Sequence, residues 1–311
     1  MSTVPPFLRA LVDDAAIFPP GEAPLPEAVR AHRRHRQAAY ADLVGPFVVS
    51  DARLPDLLEQ VREQPGEDGS DGAGPLSVSV VVTGGAGAIE PAVRWAGDSG
   101  VLALRGVEIA LRDEADLAHN ARRVVTAVDQ LVASGHLDDD TAVYVEPPRL
   151  YGEPPPHSWL AALDELATMD HRLKFRTGGV TAEAFPSAAE LASCLDAALD
   201  RELRFKCTAG LHHAVRRRVD EGFEDPVDQH GFLNVLLATR ATLDGAPAEE
   251  VRSVLEERDP DAVADAVRRA GEDALAAARR WFASFGSCSV REPLDDLVTL
   301  GLMPDLTLED A

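Results

Sequence analysis

Short apolar runs alternate with longer stretches of helical periodicity through most of the chain. The runs lie at 11–18, 43–49, 76–82, 104–111, 141–145, 172–176 and 203–207. Their length suits strands, and they are bounded by turn chemistry. Pro19-Pro20-Gly21, Thr83-Gly84-Gly85, Glu146-Pro147-Pro148, Thr177-Gly178-Gly179 and Thr208-Ala209-Gly210 each close one of them. Between them, the pattern predicts helices over 26–39, with Pro26 near its start, and over 54–61, 114–133, 159–169 and 188–199. The segment 66–75, rich in Gly, Asp and Glu, reads as a flexible surface loop.

Seven strands separated by helical segments predict a parallel sheet, because parallel strands need crossover connections. After the seventh run the pattern changes. Helices are predicted at 232–243 and 260–282, the latter with Asp259 as N-cap and Pro260 at its first position. An eighth strand or helix end falls at 281–285, with a loop at 286–289. The predicted fold is α/β: a single (β/α)8 TIM-barrel domain over 1–311, with a helical insertion over 212–282. The alternative, a doubly wound sheet, binds its ligand at a strand-order switch point. No Gly-x-Gly-x-x-Gly follows the first strand to support it.

Composition narrows the setting. An apolar content of 45% allows a sizeable core, and a formal net charge of −23 disfavours nucleic acid and anionic membrane surfaces as partners. No apolar run approaches the roughly 20 residues of a membrane span. The start of the chain lacks a basic segment, and Asp13 and Asp14 interrupt its apolar stretch, unlike a signal peptide. The cysteines Cys194, Cys207 and Cys288 are too widely spaced for a zinc pattern or a disulfide framework, so a reducing cytoplasm is expected. The expected partner is a small molecule. The pattern sets no oligomeric state, so a homo-oligomer stays open.

One asymmetry stands out. The chain has 28 arginines and 2 lysines. Genome base composition accounts for the preference, but not for where the exceptions sit. Lys174 and Lys206 both fall inside predicted strands, in Lys174-Phe175-Arg176-Thr177-Gly178 and Lys206-Cys207-Thr208-Ala209-Gly210. Strand side chains alternate. With Leu173, Phe175, Phe205 and Cys207 facing helices, Lys174, Arg176, Arg204, Lys206 and Thr208 face inward. The same parity turns Tyr144, Glu146, Glu108 and Arg112 inward. Barrel interiors are usually apolar, and catalytic groups come from strand C-terminal ends. Three uses fit these charges. Lys174–Glu146 and Lys206–Glu108 could be interior salt bridges. The lysines with Arg176 and Arg204 could clamp an anion. A lysine beside a second cation tends toward its neutral amine, which attacks carbonyls, with a carboxylate to shuttle protons.

The strand-end motifs resemble those of deoxyribose-phosphate aldolases and related class I aldolases. Lys174-Phe175-Arg176-Thr177-Gly178 is similar to that family's Lys-x-Ser-Thr-Gly. Lys206-Cys207-Thr208-Ala209-Gly210 is similar to its second lysine motif, and Asp13-Asp14-Ala15-Ala16-Ile17-Phe18-Pro19 to its first strand. Val143-Tyr144-Val145-Glu146 matches a strand ending in glutamate, and Gly286-Ser287-Cys288-Ser289 a Gly/Ser phosphate loop. The resemblance implies a cofactor-free lyase. Lys174 would form the Schiff base, Lys206 would favour its neutral amine, and Glu146 or Asp13 would move protons. Arg176, Thr177, Gly178, Thr208, Gly210, His212, Gly286 and Ser287 would bind substrate. The sequence departs from the family in three places. Glu108 stands where an aspartate is expected, Arg176 replaces a small serine, and the connection before the eighth strand is much longer.

His212 and His213 follow the seventh strand, where a loop would meet substrate, and His230 with Asn234 would share a helix face if that helix began by His230. They read as acid–base groups, metal ligands or polar loop residues. Adjacent histidines rarely ligate one metal, and no metal is assigned. Thr83-Gly84-Gly85-Ala86-Gly87 reads as a turn, 249–257 as a solvated helix face and Pro154-Pro155-Pro156 as a rigid loop. The leading expectation is a class I aldolase-like lyase acting on a small carbonyl or sugar-derived compound. The alternatives are a barrel enzyme binding an anionic sugar or carboxylic acid, with histidine or metal-assisted chemistry, and a non-catalytic anion-binding barrel.

Overall fold

The computed structural model describes residues 3–63, 74–220 and 222–305; most of the Gly-rich loop at 66–75 lies outside them. The strands are β1 (Val12–Asp14), β2 (Val44–Ser50), β3 (Leu76–Val82), β4 (Leu102–Ala110), β5 (Ala142–Glu146), β6 (Arg172–Arg176), β7 (Phe205–Thr208), β8 (Arg217–Val219), β9 (Val227–Gln229) and β10 (Phe282–Ser287). The helices are α1 (Leu25–Gln37), α2 (Leu54–Glu63), α3 (Ile89–Gly97), α4 (Leu117–Ala133), α5 (His157–Ala167), α6 (Ala188–Leu199), α7 (Phe232–Leu243), α8 (Ala248–Glu256), α9 (Pro260–Ala270), α10 (Glu272–Arg279) and α11 (Arg291–Thr299).

Eight parallel strands close in the order β1-β10-β7-β6-β5-β4-β3-β2, and β8 and β9 form a separate antiparallel hairpin. The fold is the (β/α)8 barrel that the alternation predicts. Outward residues such as Val78, Val80, Leu173, Phe175, Phe205 and Phe285 pack under the helices in one continuous core. The helices present the matching stripe. In α4, Leu117, Ala121, Val124, Val128 and Leu131 recur on one face and are buried. At the N-terminal end of the barrel, Arg279 donates from Nε to Phe7 O (3.0 Å) and from Nη2 to Arg9 O (2.9 Å). It thereby joins the first segment of the chain to the approach to β10. No helix among the described residues is long and apolar enough to cross a membrane.

Several boundaries differ from the sequence expectation, each for a local reason. The apolar run at 11–18 gives only three residues of β1. Asp14 Oδ1 takes the amide of Ala16 (3.1 Å), and a turn closes from Phe18 N to Ala15 O. The helix expected from 114 starts at Leu117, because the Asp116 side chain accepts from His119 N at 2.8 Å. The stretch 260–282 is not one helix. Gly271, at φ 78°, separates α9 from α10, and Phe282 opens β10. The helix expected over 232–243 is found with those bounds, so His230 precedes it and shares no helix face with Asn234. The sequence reading lacks α3, α11 and the β8–β9 hairpin altogether. In α3 the buried positions Ile89, Ala92, Val93 and Ala96 have helical spacing, but two of the four are alanines beside a Gly-rich turn.

Candidate functional site

Inward parity on seven strands brings ionisable and hydroxyl groups to one place. Asp13 comes from β1, Ser79 from β3, Glu108 from β4, Glu146 from β5, Lys174 from β6, Lys206 from β7 and Ser284 from β10. Lys174 and Lys206 are register partners across the β6–β7 seam. They are almost wholly buried, as is Glu108: Lys174 is 3% exposed, Lys206 1% and Glu108 1%.

Charges this deep need partners, and here they alternate in sign along one chain of contacts. Lys206 Nζ donates to Asp13 Oδ2 at 2.5 Å and to Glu108 Oε1 at 2.7 Å. Lys174 Nζ lies 3.2 Å from Glu108 Oε2 and 2.9 Å from Glu146 Oε2. Arg176 Nε donates to the other oxygen of Glu146 at 2.8 Å. Hydroxyls complete the carboxylates: Ser79 Oγ donates to Glu108 (2.7 Å) and Ser284 Oγ to Asp13 (2.8 Å). Below, the Tyr144 ring centroid lies 5.2 Å from Lys206 Nζ.

Protonation follows from these partners. Burial pushes Glu108 upward, but the ammonium groups of Lys206 and Lys174, with hydrogen bonds from Lys206 and Ser79, outweigh it and hold the carboxyl at about 2. Burial likewise opposes the charge on Glu146, and Lys174 and Arg176 overcome it, so its pKa falls below the ordinary carboxylate value. Burial disfavours the Lys206 ammonium, yet Asp13 and Glu108 raise its pKa above that of a free lysine. Asp13 is the exception. Burial, only partly offset by Lys206 and reinforced by Glu108, moves it upward. It is the carboxyl of the network that most readily carries a proton.

A cavity of about 300 Å³ opens onto this network. Glu108, Lys174, Lys206 and Arg176 line its charged side, and Ala15, Phe18, Pro19, Val48 and Val81 its apolar side. Thr208, His212, Gly286 and Cys288 complete the rim. A second cavity of about 180 Å³ is lined by Glu146 and Arg176, and Arg176 faces both cavities. Arg176 is the exposed member of the network, with 46% of its side chain accessible.

The other expected residues sit as follows. Thr177 is fully buried and its hydroxyl donates to Ala209 O (2.5 Å), tying the β6 loop to the β7 loop rather than facing the cavity. Gly178 and Gly210 let those loops touch: a Cβ on Gly178 would lie 2.7 Å from Gly210 Cα. Ser287 Oγ donates to Ser289 O (2.8 Å) and accepts from Ser289 N (3.3 Å), so its hydroxyl is used within the loop. His212 lines the cavity, with Nδ1 3.1 Å from Glu292 Oε2 and 3.7 Å from Cys288 Sγ. His213 pairs instead with Asp296 (3.1 Å).

Some inward assignments do not hold. Arg204 precedes β7 and pairs with Asp170 at the opposite end of the barrel (2.5 Å). Arg112 lies beyond β4, exposed beside Glu114. Asp14 points outward to His32 Nδ1 (2.9 Å). His230 is buried between Arg216 Nη1 (2.9 Å) and Pro186 O (2.9 Å), and burial lowers its pKa to about 4. Asn234 accepts from Arg216 N and donates to Val254 O and Glu257 O. Both are parts of the insertion's framework. Among the described residues, no cluster of three or more His, Cys, Asp or Glu side chains could hold a metal ion.

Sequence reasoning missed Ser79 and Ser284. The signal was available: Ser79 interrupts the valines of β3 with the parity of Val81, and Ser284 shares the parity of Gly286. A polar residue at an inward strand position is informative in the same way as the lysines.

No protein-family model matches the chain, and no curated protein matches it. Fold and site together define a class: a (β/α)8 barrel whose C-terminal mouth holds a buried, sign-alternating network around two lysines.

Proposed function

We propose that the protein is a class I aldolase-like lyase that forms a Schiff base between Lys174 and a small carbonyl compound. The observation that carries this reading is the placing of Lys174 and Lys206 side by side on one cavity wall, with Glu108 bound to both. For the attack Lys174 sheds one proton, which comes to rest on Asp13, the carboxyl of the network whose pKa is raised, by way of Glu108 and Lys206; the amine left behind is nucleophilic. Its lone pair forms the C–N bond while the carbonyl oxygen takes the proton that the nitrogen sheds; a second proton, returned from the carboxyl, lets that oxygen leave as water and leaves the iminium. The iminium then accepts the electron pair of the breaking C–C bond, and a hydroxyl proton of the substrate passes to a carboxylate. Lys206 keeps its charge, held by Asp13 and Glu108. Asp13 is linked to Lys174 by the two hydrogen bonds of Lys206, to Asp13 and to Glu108, and by the 3.2 Å ion contact of Glu108 with Lys174, a path along which protons can be returned.

A second reading, a non-catalytic anion-binding barrel, is favoured by one observation: each lysine ammonium already has two carboxylate partners. Borohydride reduction in the presence of small aldehydes and oxo acids, followed by peptide mass analysis, separates the two. The expected result is a reduced adduct on Lys174 that is absent in Lys174→Arg. A folded wild type that gives no adduct with any carbonyl would end the Schiff-base reading and leave the binding one.

A further inference from the structure

The cavity is two-sided. The mouths of β1, β2 and β3 contribute Ala15, Phe18, Pro19, Val48 and Val81, none of which offers a side-chain hydrogen bond. The mouths of β4 to β7 contribute the charges. A polyhydroxylated chain laid along the first wall would lose its water contacts without replacement, whereas an alkyl arm would not.

The charged side selects further. Lys174, Lys206 and Arg176 are matched by Asp13, Glu108 and Glu146, so the network has no surplus positive charge when all are ionised. A dianionic phosphate would leave it strongly negative in a poorly hydrated space, whereas a monocarboxylate adds a single charge. The serine hydroxyls of the loop after β10 are already engaged. Ser287 is bonded within the loop, and Ser289 Oγ caps α11 by accepting from Glu292 N (3.2 Å). Arg176 supplies the anion contact. Only its Nε is engaged, and among the described residues Nη1 and Nη2 donate to no protein acceptor. Its guanidinium and the Lys174 ammonium bind opposite oxygens of Glu146, so the anion contact lies one carboxylate away from the amine.

We infer that this cavity takes a small unphosphorylated oxo acid with an apolar arm. Its carboxylate lies on Arg176, its carbonyl faces Lys174, and its arm lies along Phe18, Val48 and Val81. The inference rests on the Lys174 reading for the role of the carbonyl, but the carboxylate and arm contacts do not depend on it. Calorimetric titration therefore uses probes that cannot react: 3-methylbutanoate, its amide and isopentyl phosphate. The expected result is that wild type binds the carboxylate about tenfold or more tighter than either other probe, the scale of one charged hydrogen-bond pair. Arg176→Gln should lose that preference. Arg176→Lys, which keeps the charge but not the planar fork, should retain part of it and serves if the glutamine variant does not fold. Equal binding of carboxylate and amide, tighter binding of the phosphate, or an unchanged preference in Arg176→Gln would overturn the inference. Borohydride trapping of wild type with the neutral 3-methylbutanal reads the Schiff base separately, so either idea can fail without the other.

Discussion

Lys174 stands opposite Lys206 across the seam between β6 and β7, and one carboxylate, Glu108, holds both ammonium groups at 3.2 and 2.7 Å. Glu108→Gln keeps the shape of that link and removes its charge. Two buried cations then share the remaining carboxylates, Asp13 and Glu146. Removing one partner of a buried ion pair costs about 3–5 kcal/mol, and a loss of that order is expected in urea unfolding at neutral pH. A loss under about 1 kcal/mol would mean that water reaches the network.

The same residue sets an acid limit. Its folded-state pKa of about 2 lies below the ordinary value of 4.5. Ionised Glu108 therefore adds stability that is fully present above pH 4.5 and disappears as pH falls from there toward 2. The difference corresponds to roughly 3 kcal/mol. Asp13 acts with the opposite sign. Its pKa is raised, so its ionisation opposes folding, and acid relieves that cost. The expected result is a net fall in stability over this window that flattens in Glu108→Gln. An identical acid profile in the variant would show that other carboxylates carry it.

Gly178 belongs to packing. A methyl there would lie 2.7 Å from Gly210 Cα and 2.7 Å from Phe185 Cε1, whereas one at Gly87 would meet nothing within 4 Å. Gly178→Ala is expected to cost about 1–3 kcal/mol by overpacking, with Gly87→Ala close to wild type by thermal unfolding. Equal stabilities would mean that the two loops separate without penalty.

The barrel was legible because its strands repeat one signal, a short apolar run, seven times, five of them closed by a turn motif and most followed by a helical stretch. The charged centre was legible because Lys174 and Lys206 break a composition otherwise given to arginine, and strand parity turns both inward with Glu108 and Glu146. What stayed hidden had weak or misleading local signals. In α3, alanines do the work of larger apolar residues. The β8–β9 hairpin has strands of three residues, too short to show alternation. Arg204 has inward parity but sits one residue before its strand, where a surface aspartate holds it. Parity specifies a face of the sheet and not a height within the barrel.

Closure of the ring has a further consequence. Asp13 and Lys206 are 193 residues apart in the chain, and Asp13 and Ser284 are 271 apart. The last seam joins Val12 to Phe285 and Asp14 to Ser287. Joining segments so distant in sequence costs more chain entropy than pairing neighbouring strands. Until β1 and β10 meet, Lys206 lacks one of its two carboxylates and Asp13 has neither of its donors. The charge balance of the chemistry-bearing centre therefore depends on closure of the ring: a barrel open at this seam leaves those charges unbalanced.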